Sequence, residues 1–242
     1  MSLSRRIVAA GSRRIGRPEL LSLLYPGARI AQREETAIEA ILPAALGAGD
    51  SYVDVGANRG QILREAVRVA PSGQHYAFEP IPSVAAELAR SFPGVDCRRL
   101  ALGASAGEAE FCHFRKLEGW SGLRRSPEIS DERGDPEFIA VRVSTLDAEL
   151  AGSRPRLIKI DVEGAELDVL RGARTVLAEA SPLLLFEHVA AAAQLYGAGS
   201  AELWELLSEL GYEIFAVTGD GPYGRERFVS SSDVVNWLAR PR

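Results

Sequence analysis

From residue 52 onward, short runs of apolar and β-branched residues alternate with stretches whose apolar positions recur every three to four residues. The runs fall at 52–55, 74–78, 96–102, 157–160, 183–186 and 212–217, and the helical stretches at 61–70, 83–91, 165–178 and 201–210. This alternation predicts an α/β fold, a mostly parallel sheet covered by helices on both faces. Further strands are predicted at 109–114 and 138–143, with a closing strand near 227–230. Upstream, residues 18–46 read as helix, with Leu21, Leu24, Ile38, Ile41 and Leu42 as candidate core contacts. No repeat or low-complexity linker interrupts the chain, so a helical extension over 1–48 is expected to precede a single α/β domain over 49–242.

Composition narrows the class without naming a function. The chain has 242 residues, 46% hydrophobic and 25% charged, which excludes disordered, collagenous and disulfide-scaffold proteins. A net charge of −5 argues against nucleic acid as a partner. Cys97 and Cys112 lie in separate apolar segments without C-x-x-C spacing, so they read as ordinary buried thiols and fit the cytoplasm. No run of about 18 apolar residues occurs, so no transmembrane segment is expected. Residues 1–18 carry five arginines and no acid, and the stretch Ile7-Val8-Ala9-Ala10 falls short of a signal-peptide core. That basic arm is a candidate for weak contact with a membrane surface, although a solvated, frayed helix is the simpler reading. Homo-oligomerisation is left open. Of the 28 cationic residues only Lys116 and Lys159 are lysines.

Residues 115–137 stand apart as polar and mixed in charge, with three glycines and two prolines. A loop of that length in a compact domain is usually functional or disordered, and this one reads as a lid or substrate-selecting loop. Within it Trp120, beside Ser121, either offers a stacking face to a ring-shaped ligand or pins the loop to the body.

Chemistry enters at Asp54-Val55-Gly56-Ala57-Asn58-Arg59-Gly60, directly before a helix. Gly56 and Gly60 let the backbone turn sharply and approach a ligand. They stand four residues apart, whereas the outer glycines of a dinucleotide fingerprint stand five apart. A carboxylate before the first glycine suits a cationic cofactor better than a pyrophosphate. The sulfonium and amino group of S-adenosyl-L-methionine meet that requirement. Glu79, 25 residues after Asp54 at the tip of the next strand, can accept both ribose hydroxyl protons of an adenosine cofactor. Pro80 and Pro82 set the start of the following helix, and Ala101 and Leu102 fall where an apolar wall would meet adenine.

The second unusual run is Ile158-Lys159-Ile160-Asp161-Val162-Glu163-Gly164-Ala165-Glu166. Here an apolar strand carries a lysine and then releases three acids at its carboxyl end, where ligands sit in open α/β sheets. Lys159 shares its side of the strand with Asp161 and needs a charged partner. The run ending Phe186-Glu187-His188 brings a second polar cluster to the same rim, whereas His75 and His113 read as ordinary strand residues.

The pieces D-V-G-A-N-R-G (54–60), F-E-P (78–80), V-S-T-L-D (143–147), I-K-I-D-V-E-G-A-E (158–166) and F-E-H (186–188) resemble the FkbM-type family of S-adenosylmethionine-dependent methyltransferases. The resemblance spans 52–236 and leaves out the N-terminal arm and the 115–137 loop. It implies a class I, Rossmann-like methyltransferase fold with a seven-stranded, mostly parallel sheet and one antiparallel strand at its edge. It also implies O-methylation of a hydroxyl on a sugar, glycolipid or polyketide-type natural product. The expected cofactor residues are Asp54, Gly56, Ala57, Asn58, Gly60, Glu79, Pro80, Ala101, Leu102 and Asp161. For catalysis, His188 is the expected general base, since its ordinary pKa suits neutral pH. Asp161 is the alternative base or an orienting group, and Lys159 and Glu163 are expected as ion-pair partners. A divalent cation held by Asp161, Glu163 and Glu187 or His188 is a lesser alternative. A cofactor-binding protein without catalysis and an NAD-dependent enzyme on a related fold are the competing readings.

Overall fold

The computed structural model of the protein describes residues 26–127 and 129–242; the expected contacts Leu21 and Leu24 and the basic arm lie outside these. A seven-stranded sheet is built from β1 (Tyr52–Val55), β2 (Tyr76–Phe78), β3 (Asp96–Arg98), β7 (Leu157–Ile160), β8 (Leu183–Glu187), β9 (Tyr212–Ala216) and β10 (Asn236–Pro241). Their spatial order is β3-β2-β1-β7-β8-β10-β9. The first five are parallel, and β10 is antiparallel to both β8 and β9. A smaller sheet joins β4 (Ala101–Leu102), β5 (Gly107–Phe114) and β6 (Pro136–Ser144) in the order β4-β6-β5.

Strand alternation sorts the core into two halves. Val53, Val55, Ile158, Ile160, Leu184 and Phe186 point to one face and pack with helices α6 (Glu166–Arg171), α7 (Arg174–Ala180) and α9 (Ser200–Glu209). Tyr52 and Leu157 point to the other, where Leu42 of α1 (Pro26–Ala45) and Leu63 and Ala66 of α2 (Gln61–Val69) cover them. Ile38 and Ile41, also on α1, pack against Leu185 on the same side. Glu34 on α1 is buried, and its carboxylate accepts from the Val235 amide at 3.1 Å and the Asn236 side chain at 2.9 Å. The amphipathic helix is thus tied to the start of β10 as well as to the apolar face.

Four expected elements differ from the observed ones. The antiparallel strand is not at the sheet edge but one strand in; buried Trp237, Leu238 and Ala239 need neighbours on both sides, whereas β9 exposes Glu213 and suits an edge. The closing strand near 227–230 is instead a helix, α10 (Arg225–Ser230), which buries only Phe228. The run 96–102 breaks into β3 and β4 because the Arg98 carbonyl accepts from both the Glu79 and Leu100 amides, turning the chain toward the second sheet. The helix expected over 165–178 divides at Gly172, where a Cβ would stand 2.1 Å from the Gly103 carbonyl oxygen. There Asp147 caps α7, accepting from the Thr175 and Val176 amides at 3.0 and 2.8 Å.

The 115–137 segment is folded rather than structureless. It contains a single 3-10 turn at Glu118–Trp120 and the short helix α4 (Asp131–Gly134). Trp120 packs with Cys112, Phe114 and Ile129 in a small core of its own.

Candidate active site

Strands β2 and β3 lie to one side of β1 and β7 and β8 to the other, so the order in which strands are added reverses between the parallel neighbours β1 and β7. The crevice outside their carboxyl ends is where ligands bind in open α/β sheets. The turn after β1 is shaped for close approach. The Gly56 and Ala57 amides donate to the Phe78 carbonyl at 3.0 and 3.1 Å, tying the turn to β2. Gly56 has φ +77°, and a Cβ there would lie 2.0 Å from the Asp161 carbonyl oxygen, so only glycine lets the ends of β1 and β7 meet. At Gly60 a Cβ would lie 2.5 Å from the Phe92 ring, so that glycine packs the turn onto helix α3 (Pro82–Ser91).

The crevice is lined by Gly56, Asn58, Glu79, Pro80, Ala101, Leu102 and Asp161 among the expected cofactor residues, and by Glu163 and Ser121. Asp54, Ala57 and Gly60 are not in its lining; they form the scaffold beneath it. Other contributors were not expected. Leu100 and Phe111 extend the apolar wall of Ala101 and Leu102, and Glu118, Gly119 and Leu123 close the outer side. The apolar pair is visible in the sequence as part of strand-like runs, but Glu118 carries no local signal.

Glu79 is buried at the tip of β2, with Oε2 accepting from the Asn58 amide at 3.0 Å and Oε1 from the Ile81 amide at 2.9 Å. Burial lifts its pKa to about 7, although both backbone donors pull the other way. Each oxygen retains acceptor capacity toward the crevice.

Beneath the crevice floor, the register pairs Asp54 with Lys159. The Lys159 ammonium lies 3.4 Å from Asp54 Oδ1 and 3.3 Å from Asp161 Oδ2. Burial pushes Asp54 above the usual carboxylate range, partly offset by Lys159. For Lys159 burial opposes the charge, yet Asp54 and Asp161 outweigh it and raise its pKa. Asp54 is 1% exposed and Asp161 35%, so the lysine links a buried acid to one that opens on the crevice.

The turn after β7 is set by its own residues. Glu166 Oε1 accepts from the Val162 and Gly164 amides at 3.2 and 3.0 Å. Glu163 adopts φ +57°, and at Gly164 a Cβ would strike the Ala192 carbonyl oxygen at 2.6 Å. Carboxylate oxygens of Asp161, Glu163 and Glu187 lie within 4.8 Å of one another. His188 does not join them. Glu187 and His188 emerge on opposite faces of β8, and the imidazole stacks on Phe228 at 5.5 Å with Nε2 2.8 Å from Ser200 Oγ. Burial lowers its pKa to about 4. It lines no part of the crevice, so the structure does not bring the expected base to the site. Trp120 is likewise absent from the lining and pins the loop, while Ser121 lines it and accepts from the Phe114 amide at 3.0 Å. Of the remaining histidines, His75 is a structural bridge, its ring nitrogens bonded to the Tyr52 amide and the Ala70 carbonyl.

The Methyltransferase FkbM domain model matches residues 54–214. The methyltransferase sdnD of Sordaria araneosa is 32% identical over 152 residues, covering 50% of this chain and 59% of sdnD. The 2-O-methyltransferase NoeI of Sinorhizobium fredii is 32% identical over 142 residues, covering 52% of this chain and 58% of NoeI. The matched region thus spans about three fifths of the length of these relatives. Among solved structures, the FkbM methyltransferase of Methylobacillus flagellatus superposes with a TM-score of 0.50 at 18% identity, covering 81% of this chain and 44% of that one. With its α/β sheet order and a domain match over most of its length, the chain belongs to the FkbM methyltransferase family and has the class I methyltransferase fold.

Proposed function

We propose that the protein transfers the methyl group of S-adenosylmethionine to a hydroxyl of a small acceptor, a sugar, glycolipid or polyketide-type natural product. The observation that carries this reading is the division of one crevice. Glu79 and an apolar wall stand on the β2 side, and Asp161 and Glu163 stand on the β7 side. The residues fit the cofactor: a buried carboxylate with free lone pairs suits a ribose diol, and Leu100, Ala101, Leu102 and Phe111 suit an adenine. The relationship to NoeI, itself named a 2-O-methyltransferase, supports oxygen as the acceptor atom.

Bound there, S-adenosylmethionine supplies an electrophilic methyl carbon on a sulfonium that leaves as a neutral thioether. The protein's part is to hold the acceptor oxygen in line and remove its proton as the new bond forms. Asp161 is the side chain placed for both: it opens on the crevice, and Lys159 fixes its carboxylate from below. Glu163 flanks it and contributes a second acceptor for a neighbouring hydroxyl. His188 is assigned to packing rather than proton transfer. Free thiols at Cys97 and Cys112 and a cytosolic methyl donor together support a cytoplasmic enzyme. No helix among the described residues is long and apolar enough to cross a membrane. On this proposal residues 49–242 form the methyltransferase domain and 1–48 an extension, of which α1 covers the Lys159 side of the sheet.

The test is calorimetric titration with S-adenosylhomocysteine and NAD, followed by transfer of labelled methyl to a panel of hydroxyl compounds. Asp161→Asn is expected to lower kcat by at least about 100-fold, and His188→Asn by less than about threefold. Binding of NAD alone, or full activity of Asp161→Asn, would overturn the assignment.

A further inference from the structure

The outer wall of the crevice is a short piece of chain, residues 118–124, that belongs to neither sheet. Glu118, Gly119, Ser121 and Leu123 turn inward from it. It is fastened at two ends by unlike contacts. At the first, Arg59 of the β1–α2 turn grips Glu118 in a two-pronged ion pair, Nε to Oε2 and Nη2 to Oε1, both at 3.1 Å. The same guanidinium reaches Glu87 on α3 at 2.5 Å. Arg59 is 51% exposed, so this fastening stands in solvent. At the second, the Arg124 amide donates to the Tyr196 hydroxyl at 3.0 Å. Between them Cys112 and Gly122 exchange backbone hydrogen bonds at 2.9 and 3.1 Å, joining the piece to β5. At Gly122 a Cβ would stand 3.0 Å from the Tyr196 hydroxyl and 3.7 Å from Glu163 Cβ, so this end is close-packed.

Buried Trp120 and the Ser121 hydroxyl, which accepts from the Phe114 amide, anchor the middle of the piece, so only its leading edge, Glu118 and Gly119, depends on the solvated ion pair. We propose that residues 118–124 form a strap over the methyl-donor pocket, with Arg59 as a positioning residue whose pair with Glu118 latches it and sets how fast cofactor leaves. The strap stays anchored at Trp120 and Gly122, and its Glu118–Gly119 edge opens at Arg59. Arg59 itself lines no part of the crevice, so its influence on a bound cofactor runs through Glu118. The proposal rests on the S-adenosylmethionine reading above.

The experiment measures dissociation of S-adenosylhomocysteine from the full chain by stopped-flow displacement. Arg59→Ala is expected to speed dissociation about fivefold, the effect of losing one exposed but bidentate pair. Arg59→Lys, which keeps charge but not the fork, should fall between. Glu118→Gln should match Arg59→Ala, and the double variant should be no faster than either single one. Raising salt should speed the wild type and leave Arg59→Ala unmoved. Glu87→Gln, which leaves the Arg59–Glu118 pair intact, should dissociate at the wild-type rate. Wild-type rates for Arg59→Ala, or fully additive effects in the double variant, would overturn the latch while leaving the cofactor reading intact. Failure of the wild type to bind S-adenosylhomocysteine would overturn both.

Discussion

On the proposed function, Glu79 is expected to make affinity for the cofactor a function of pH. Both its oxygens already face backbone N–H groups, those of Asn58 and Ile81. A protonated carboxyl would aim its own O–H at one of those donors or at the crevice, so only the ionised form keeps both amides paired and still accepts from a ribose diol. Burial sets the free-protein pKa at about 7. At pH 8 roughly nine-tenths of the groups are then ionised, and at pH 6 roughly one-tenth. Binding that requires the carboxylate is therefore expected to weaken about tenfold between these values, about 1.4 kcal/mol. Calorimetric titration of S-adenosylhomocysteine at half-unit intervals from pH 5.5 to 8.5 reads the effect directly. Glu79→Gln should bind weakly at every pH and lose the dependence. A flat profile for the wild type, or an unchanged slope in Glu79→Gln, would refute the assignment of the titrating group.

Glu166 carries a linked stability effect. Its folded pKa, lifted to about 7 by burial, lies above its ordinary value of 4.5, so the folded state binds the extra proton and stability falls as pH rises from 4.5 to 7. Glu166→Gln, which keeps an oxygen for the Val162 and Gly164 amides, should remove that group's slope of about 1.4 kcal/mol per pH unit in urea melts. Lys159→Met leaves Asp54 buried without its counter-charge and is expected to cost about 3 kcal/mol; Asp54→Asn in the same background should restore most of it. Lys159→Arg should slow methyl transfer more than Lys116→Arg, because Lys116 is exposed and donates to the Glu132 carbonyl while Lys159 is wedged between two acids. Gly56→Ala meets both a positive φ and a contact at 2.0 Å; it should lower stability by more than about 2 kcal/mol and abolish S-adenosylhomocysteine binding.

The fold was legible where burial is two-sided. Residues 52–55 and 157–160 read as strands because nearly every position is apolar, and that is also why Lys159 stood out and required a partner. The closing strand was misplaced because β10 owes its identity to pairing with β8 and β9, distant in sequence. Phe228 is the buried residue of α10, with exposed Arg227 and Val229 on either side, as suits one face of a helix. His188 shows a different failure. Two-residue alternation along β8 already separates it from Glu187, Lys159 and Asp161, so its face is readable from the period alone, while its packing on Phe228 is not. A histidine's ordinary pKa suits a general base on either face of a strand, so it carries no information about position. Glu118 was not readable at all: its partner is 59 residues away, and a polar loop offers no periodicity to place it.

The most conspicuous motif residues mainly build the site rather than touch what enters it. Asp54 serves Lys159, Glu166 holds the turn after β7, Asp147 caps α7, and Gly60 packs on Phe92. Each is demanding because a buried charge or a backbone contact admits few alternatives, and such demands leave a visible pattern in sequence. Gly56, Asn58 and Glu79, proposed to meet the cofactor, inherit part of that rigidity because the same groups tie β1 to β2. Apart from the packed Trp120 and Gly122, the strap and the crevice side of Glu163 face solvent or ligand, so many side chains satisfy those positions physically. On the proposed function, Ser121, Leu123 and Glu163 are therefore the residues expected to set acceptor choice. Exchanging 119–124 between relatives, which leaves the Arg59–Glu118 pair in place, should change which hydroxyl is methylated while leaving cofactor affinity close to that of the parent chain.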